Sequence, residues 1–152
     1  MKKTYLQRGF TLIELLVVIA IIGLLSSVVL ASLSTARNRG NDAKVKAQLS
    51  SVRSAVELYA VSAGKYAAST MDNGALLACT GTMFIDIPSG LKNLTGDDKA
   101  WPDGTTLSCQ ATDSAWAVSA RLSGTGGVWC VDSKGKSQRQ DHHLTSGQVA
   151  CP

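Results

Sequence analysis

RGFTLIELLVVIAIIGLL, residues 8–25, opens the longest uncharged stretch of the chain. From Leu15 to Ala36 no residue is charged, a run of 22 positions (36 − 15 + 1). Wound as a helix it is about 33 Å long, at ~1.5 Å per residue, enough to cross a hydrocarbon core of ~30 Å. A helix apolar on every side needs lipid or protein around it. One carboxylate, Glu14, stands at the edge of this run. A charge inside a bilayer is costly at the centre and less so near an end, and by default it is functional and has a partner. Ahead of it lie Gly9 and Phe10, and before those a basic start containing Lys2, Lys3 and Arg8.

Working toward the C-terminus, the helical pattern outlasts the apolar run. Val45, Leu49, Val52, Val56 and Tyr59 recur at steps of four, three, four and three, which marks one helix face. Lys44, Ser51, Arg53 and Ser54 lie opposite, and Gly64 supplies a stop. The sequence predicts one helix from Phe10 to Ser62, with Gly23 and Gly40 as points of softening. Its second half has one apolar face, which calls for a sheet. Trp116, Val118, Ala120 and Leu122 alternate with Ala117, Ser119 and Arg121, a strand buried on one side. Val128 to Val131 makes a second strand, Asp132-Ser-Lys-Gly135 a tight turn, and Lys136 to Gln138 the start of a third. Leu107 to Ala111 adds an edge. Between helix and sheet, Asn73 to Ala78 is expected to form a short helix capped by Asp72 or Asn73. Pro88-Ser89-Gly90 and Trp101-Pro-Asp-Gly104 are expected as turns, and the tail after Arg139 as irregular and solvated. The fold class is therefore α+β, a long helix packed on a small antiparallel sheet.

The polar part is too small for a large core without reinforcement. Four cysteines lie there, Cys79, Cys109, Cys130 and Cys151, with no CxxC spacing. Behind an export-type segment they indicate two disulfides in an oxidising compartment. The 29, 20 and 20 residues between them do not match zinc-ligand spacing. Three pairings are open; Cys130 with Cys151, and so Cys79 with Cys109, is the favoured one. The formal net charge of +4 is unevenly spread. Arg37, Arg39, Lys44, Lys46 and Arg53 against Asp42 make a neck of +4, while seven basic and nine acidic residues from Ser54 onward give −2. Such a neck is either a solvated helix face or a contact for anionic lipid or nucleic acid; nothing further in the sequence supports DNA binding.

The N-terminus admits three readings. A secretory signal peptide would use Ser34-Thr35-Ala36 as its cleavage site, but the apolar run exceeds the usual ~7–15 residues and Glu14 breaks it. A plain anchor fits by length, and the cysteines place its C-terminal part outside the cytoplasm. Residues 8 to 35 resemble the start of type IV prepilins and of type II secretion pseudopilins. The resemblance rests on the short basic leader MKKTYLQRG, the Gly9–Phe10 junction, the adjacent TLIE and the apolar run.

The resemblance implies a leader over 1–9 removed by a membrane-embedded prepilin peptidase between Gly9 and Phe10. It also implies N-methylation of Phe10. A filament-core helix over 10–36, its amphipathic continuation over 37–63, and a head over 64–152 follow, the head's tail closed by a disulfide. Glu14 would pair with the new Phe10 amine, in its own chain or in the next subunit, and so set the register of assembly. Other implied partners are further copies of the chain, lipid before assembly, and an inner-membrane platform with its motor. The chain would start as a single-pass inner-membrane protein with its head outside the cytoplasm. It would end in an extracellular or periplasm-spanning filament. Many pilins carry a proline in the second half of the apolar run; here Ala31 lies in that area and no proline precedes Pro88.

Other candidates are weaker. Asp97, Asp98 and Asp103 offer oxygens for Ca2+ but lack a recognisable loop pattern, and turn chemistry explains them too. His142-His143 have no evident third ligand. There is no glycine-rich phosphate loop, nucleophile elbow or paired-carboxylate arrangement, so nothing argues for catalysis or a cofactor. A peptidase cutting after Gly9 needs unhindered backbone. Gly9→Val should therefore leave the full precursor, whereas the native chain should lose nine residues and retain 152 − 9 = 143. Intact mass separates the two.

Overall fold

The structure is a computed structural model and describes residues 9–66, 69–70, 79, 81–96, 100–124 and 126–152. The chain divides into two compact units that meet in sequence at Ala36 and Arg37. Helix α1 spans Leu12–Ala63. It starts two residues later than the apolar pattern implies, because Thr11 caps it. It stays helical through Gly23 and Gly40. It ends at Gly64, whose φ of 75° is a left-handed conformation suited to glycine and whose N–H donates to the Ala60 carbonyl at 2.8 Å.

Within 12–36, every large apolar side chain is exposed, as is that of Phe10. This part of α1 is the one stretch among the described residues long and apolar enough to cross a bilayer. Within 37–63, burial follows the expected face. Val45, Leu49, Val52 and Val56 are fully buried, Ala55 and Asp42 nearly so, and Tyr59 is half-buried.

The sheet runs in the order β1-β2-β3-β4-β5, all antiparallel, from strands Ser69–Thr70, Leu107–Ala111, Trp116–Arg121, Val128–Asp132 and Ser137–Gln140. Leu107–Ala111 is thus not an edge, since the two residues of β1 pair beyond it through Ser69↔Ala111 and Thr70↔Gln110. A short helix unseen in the sequence, α2 over Leu91–Thr95, follows the Pro88-Ser89-Gly90 turn. The predicted helix at Asn73 to Ala78 lies outside the described residues.

The core between α1 and the sheet joins Val45, Leu49, Val52 and Val56 to Trp116, Val118, Ala120 and Val131, with Met83, Phe84 and Leu91 filling in. Asp42 anchors the seam. Its Oδ1 accepts the N–H groups of Ser123 and Gly124 at 2.8 and 3.0 Å. Gly124 is needed there, because a Cβ would stand 2.8 Å from the Asn38 Cβ.

The second face of the sheet departs from expectation. Alternation in β3 predicts Ala117 and Ser119 in solvent, yet both are fully buried. The tail covers them: Leu144 and Cys151 pack with Ala117 and Cys130. Asp132, 1% exposed, ties this layer together. Its Oδ1 accepts the N–H groups of Lys134 and Lys136 at 3.0 and 2.9 Å, shaping the predicted β4–β5 turn, in which Gly135 has φ 86°. Its Oδ2 accepts the Cys151 N–H at 2.9 Å. Asp132→Ala removes three bonds to a carboxylate and should cost about 3 kcal/mol of stability. The expected outcome is a lowered urea midpoint for the head, with Asp132→Asn falling between.

Candidate functional site

The first turn of α1 gathers the predicted N-terminal residues. Gly9 and Phe10 precede the helix and are exposed, Phe10 to 83%. Thr11 and Glu14 then lock to each other. Glu14 Oε2 accepts from the Thr11 N–H at 2.8 Å and from its hydroxyl at 2.6 Å, while the Glu14 N–H donates back to Thr11 Oγ1 at 3.3 Å. This is a capping box, in which each residue's side chain accepts from the other's otherwise unpartnered backbone N–H. A carboxylate in the first turn also faces the positive end of the helix dipole. The T-x-x-E signature of this cap is local and stands complete in the sequence from Thr11 to Glu14. In the uncut chain the Phe10 nitrogen belongs to a peptide bond, so Glu14 has Thr11 as its partner rather than an amine.

Both disulfides take the favoured pairing. Cys79 joins Cys109 with Cα atoms 5.6 Å apart, and Cys130 joins Cys151 at 5.9 Å. The second bond fastens the tail to β4, as expected of a disulfide-closed loop.

The basic neck is partly engaged with the sheet. Arg37, Arg39 and Lys44 lie exposed along α1. The Lys46 ammonium sits 4.3 Å from the centroid of the Trp129 ring, and an Arg53 guanidinium N–H donates to the Lys136 carbonyl. Of the calcium candidates, Asp97 and Asp98 lie outside the described residues and Asp103 is exposed. Among the described residues no three His, Cys, Asp or Glu side chains converge to hold a metal.

The two histidines differ, which corrects the reading of a solvated tail. His142 is exposed, but His143 is half-buried on the sheet. Its Nε2 lies 2.9 Å from Thr106 Oγ1 and its Nδ1 3.1 Å from Ser119 Oγ. Burial, and secondarily the Arg121 guanidinium, hold its pKa below the ordinary 6.5. No sequence pattern marks this position, since the partners come from the residue just before β2 and from β3, 37 and 24 residues away.

A helix apolar all round and then on one face, capped at its exposed end by a carboxylate and joined to a small antiparallel sheet, defines the pilin-like class. The comparisons with known proteins agree. The model of the prokaryotic N-terminal methylation motif matches residues 5–30. The major component of the type IV wide pilus of Thermus thermophilus is 33% identical over 148 residues, covering 95% of this chain and 97% of that protein. Fimbrial protein Q of Moraxella bovis is 31% identical over 140 residues, 86% and 88% of the two chains. Core protein G of the type II secretion system of Pectobacterium carotovorum is 37% identical over 62 residues, 41% and 40% of the two. The chain belongs to the type IV pilin and pseudopilin family.

Proposed function

We propose that the protein is a structural subunit of a type IV pilus-like filament, cut by prepilin peptidase between Gly9 and Phe10 and assembled through α1. The observation that carries this reading is the N-terminal methylation motif set on a helix whose apolar side chains from Phe10 to Leu33 have no cover of their own. Many such helices packed side by side bury that surface, and burial of apolar area is the driving force. Before assembly lipid does the covering, with the head outside the cytoplasm, where its disulfides persist. The sequence carries no glycine-rich phosphate loop, and work for assembly is assigned to a separate platform and motor because the resemblance to pilins implies one.

Glu14 acquires its second role at cleavage. The cut turns the Phe10 nitrogen into an amine, which stays cationic when methylated, one helical turn from the carboxylate. In an apolar filament core an unpaired charge is costly, whereas an amine and a carboxylate brought together are mutually favourable. Pairing the Phe10 amine of one subunit with Glu14 of the next fixes the axial offset between neighbouring helices.

Similarity along the full length to the Thermus thermophilus pilus component supports a pilus over a secretion pseudopilin, because the match to core protein G spans only about 60 residues. Two substitutions test the register role. Glu14→Val should be cleaved normally, as seen by intact mass, yet leave few or no filaments in sheared cell-surface material under the electron microscope. Glu14→Gln keeps the hydrogen bonds to Thr11 and loses the charge, so it should fail in the same way. Normal filaments from Glu14→Gln would reduce Glu14 to a helix cap. Uncut monomers from the unaltered protein, with peptidase present, would instead mark an anchored extracytoplasmic binding domain.

A further inference from the structure

Residues 141–150 cross the outer face of the sheet as an irregular strap fastened at both ends. One end continues from β5. At the other, Cys151 is bonded to Cys130 and its N–H donates to Asp132. Between these anchors Leu144 is the only strap side chain that is fully buried. The rest of the attachment is polar. The Leu144 N–H donates to Ser119 Oγ at 3.3 Å, and its carbonyl accepts from Ser108 Oγ at 3.2 Å. The Gly147 N–H donates to Gln110 Oε1 at 3.1 Å. His143 spans the hydroxyls of Thr106 and Ser119.

A neutral imidazole has one N–H and one lone pair, so either tautomer satisfies both hydroxyls. A protonated ring has two donors and no acceptor. Neither the Thr106 nor the Ser119 hydroxyl proton would then find an acceptor on the ring, and Ser119 Oγ, which also takes the Leu144 N–H, would have both lone pairs filled. The added charge would also sit beside Arg121 of β3, with which His143 lines a small cleft. On the β2 side lie Thr106, just before the strand, and Ser108 and Gln110 within it, none of them charged. The strap's own Asp141 and His142 are exposed and line the same cleft as Arg121 and His143. On the β4–β5 side, Asp132 is occupied by backbone N–H groups, Lys136 Nζ donates to the Cys151 and Pro152 carbonyls, and Arg139 borders the neighbouring cleft.

We propose that residues 141–150 are a pH-released strap, in which protonation of His143 beside Arg121 lifts the strap from the sheet while Cys130–Cys151 keeps it tethered. The folded pKa of His143 is depressed, so its contribution to docking is complete above the ordinary 6.5 and is lost as the pH falls through the folded value. Release uncovers Ala117, Ser108, Gln110 and Ser119. It also exposes the intact Cys130–Cys151 bond, whose cysteines are 0% and 2% exposed when the strap is down. The proposal is independent of filament assembly.

Hydrogen–deuterium exchange on the full chain in detergent micelles, corrected for intrinsic rates, tests it. The Leu144 and Gly147 amides should exchange several-fold faster at pH 5 than at pH 7.5. Reduction of Cys130–Cys151 by a phosphine should accelerate by a similar factor relative to Cys79–Cys109, which lies on the other face. His143→Gln retains a donor and an acceptor but no titration, so its strap should exchange equally at both pH values. Arg121→Gln removes the repulsion that drives release, so its strap should exchange less at pH 5 than that of the native chain. Equal corrected exchange of the native chain at both pH values would overturn the proposal. So would release of His143→Gln at pH 5, since it would assign the event to Asp132 or Asp141. Should His143→Gln not fold, undiminished release at pH 5 in Arg121→Gln overturns it alone.

Discussion

An uncharged helical stretch of 22 residues followed at once by a basic, one-faced one is the constraint from which the structure follows. The backbone hydrogen bonds of α1 are satisfied internally in both stretches, so the helix can pass from one environment to the other without a break. What changes at Ala36 and Arg37 is only what the side chains require. Before that point there is no polar face, and the protein supplies no cover. After it, four fully buried side chains spaced three and four apart, Val45, Leu49, Val52 and Val56, demand one sheet and no more. The head exists to meet that demand, and its topology is the simplest that does so, a meander with each strand beside its predecessor.

A sheet that covers a helix with one face leaves the other in water unless something lies on it. Here the second layer is neither a helix nor a sheet. It is a tail whose own backbone lacks a ladder, so its N–H and C=O groups need partners from elsewhere. Ser108, Gln110, Ser119 and Asp132 provide them. The head therefore spends polar side chains where a larger domain would place leucine, and the Cys130–Cys151 bond limits the freedom of the tail when it is undocked.

This explains which parts were legible from sequence. Helix α1, its buried face, its stop at Gly64, the strands from Leu107 onward and the presence of two disulfides follow from periodicity, turn chemistry and cysteine content, whereas cysteine content alone leaves three pairings open. The buried second face of β3 did not, because Ser119 and Ala117 between larger apolar residues form the same alternation whether water or a tail lies above them. His143 was hidden for the same reason: its burial depends on partners far away in the chain. Helix α2 has five residues, too few for a period to declare itself. Thr11 was a different kind of omission, since the capping signature was local and complete.

That capping box alters the account of Glu14. A carboxylate at the head of an apolar helix looked like a charge waiting for an amine. In the uncut chain it is already held, by the N–H and hydroxyl of Thr11. The same contacts that begin the helix also aim the carboxylate back toward Phe10. Under the proposed cleavage after Gly9, the cut would add a cation near a carboxylate whose direction is already set, so little ordering would remain to be done when the two meet. A glutamate three residues after the threonine meets both needs: it reaches back to cap the helix, and it stands one turn from Phe10.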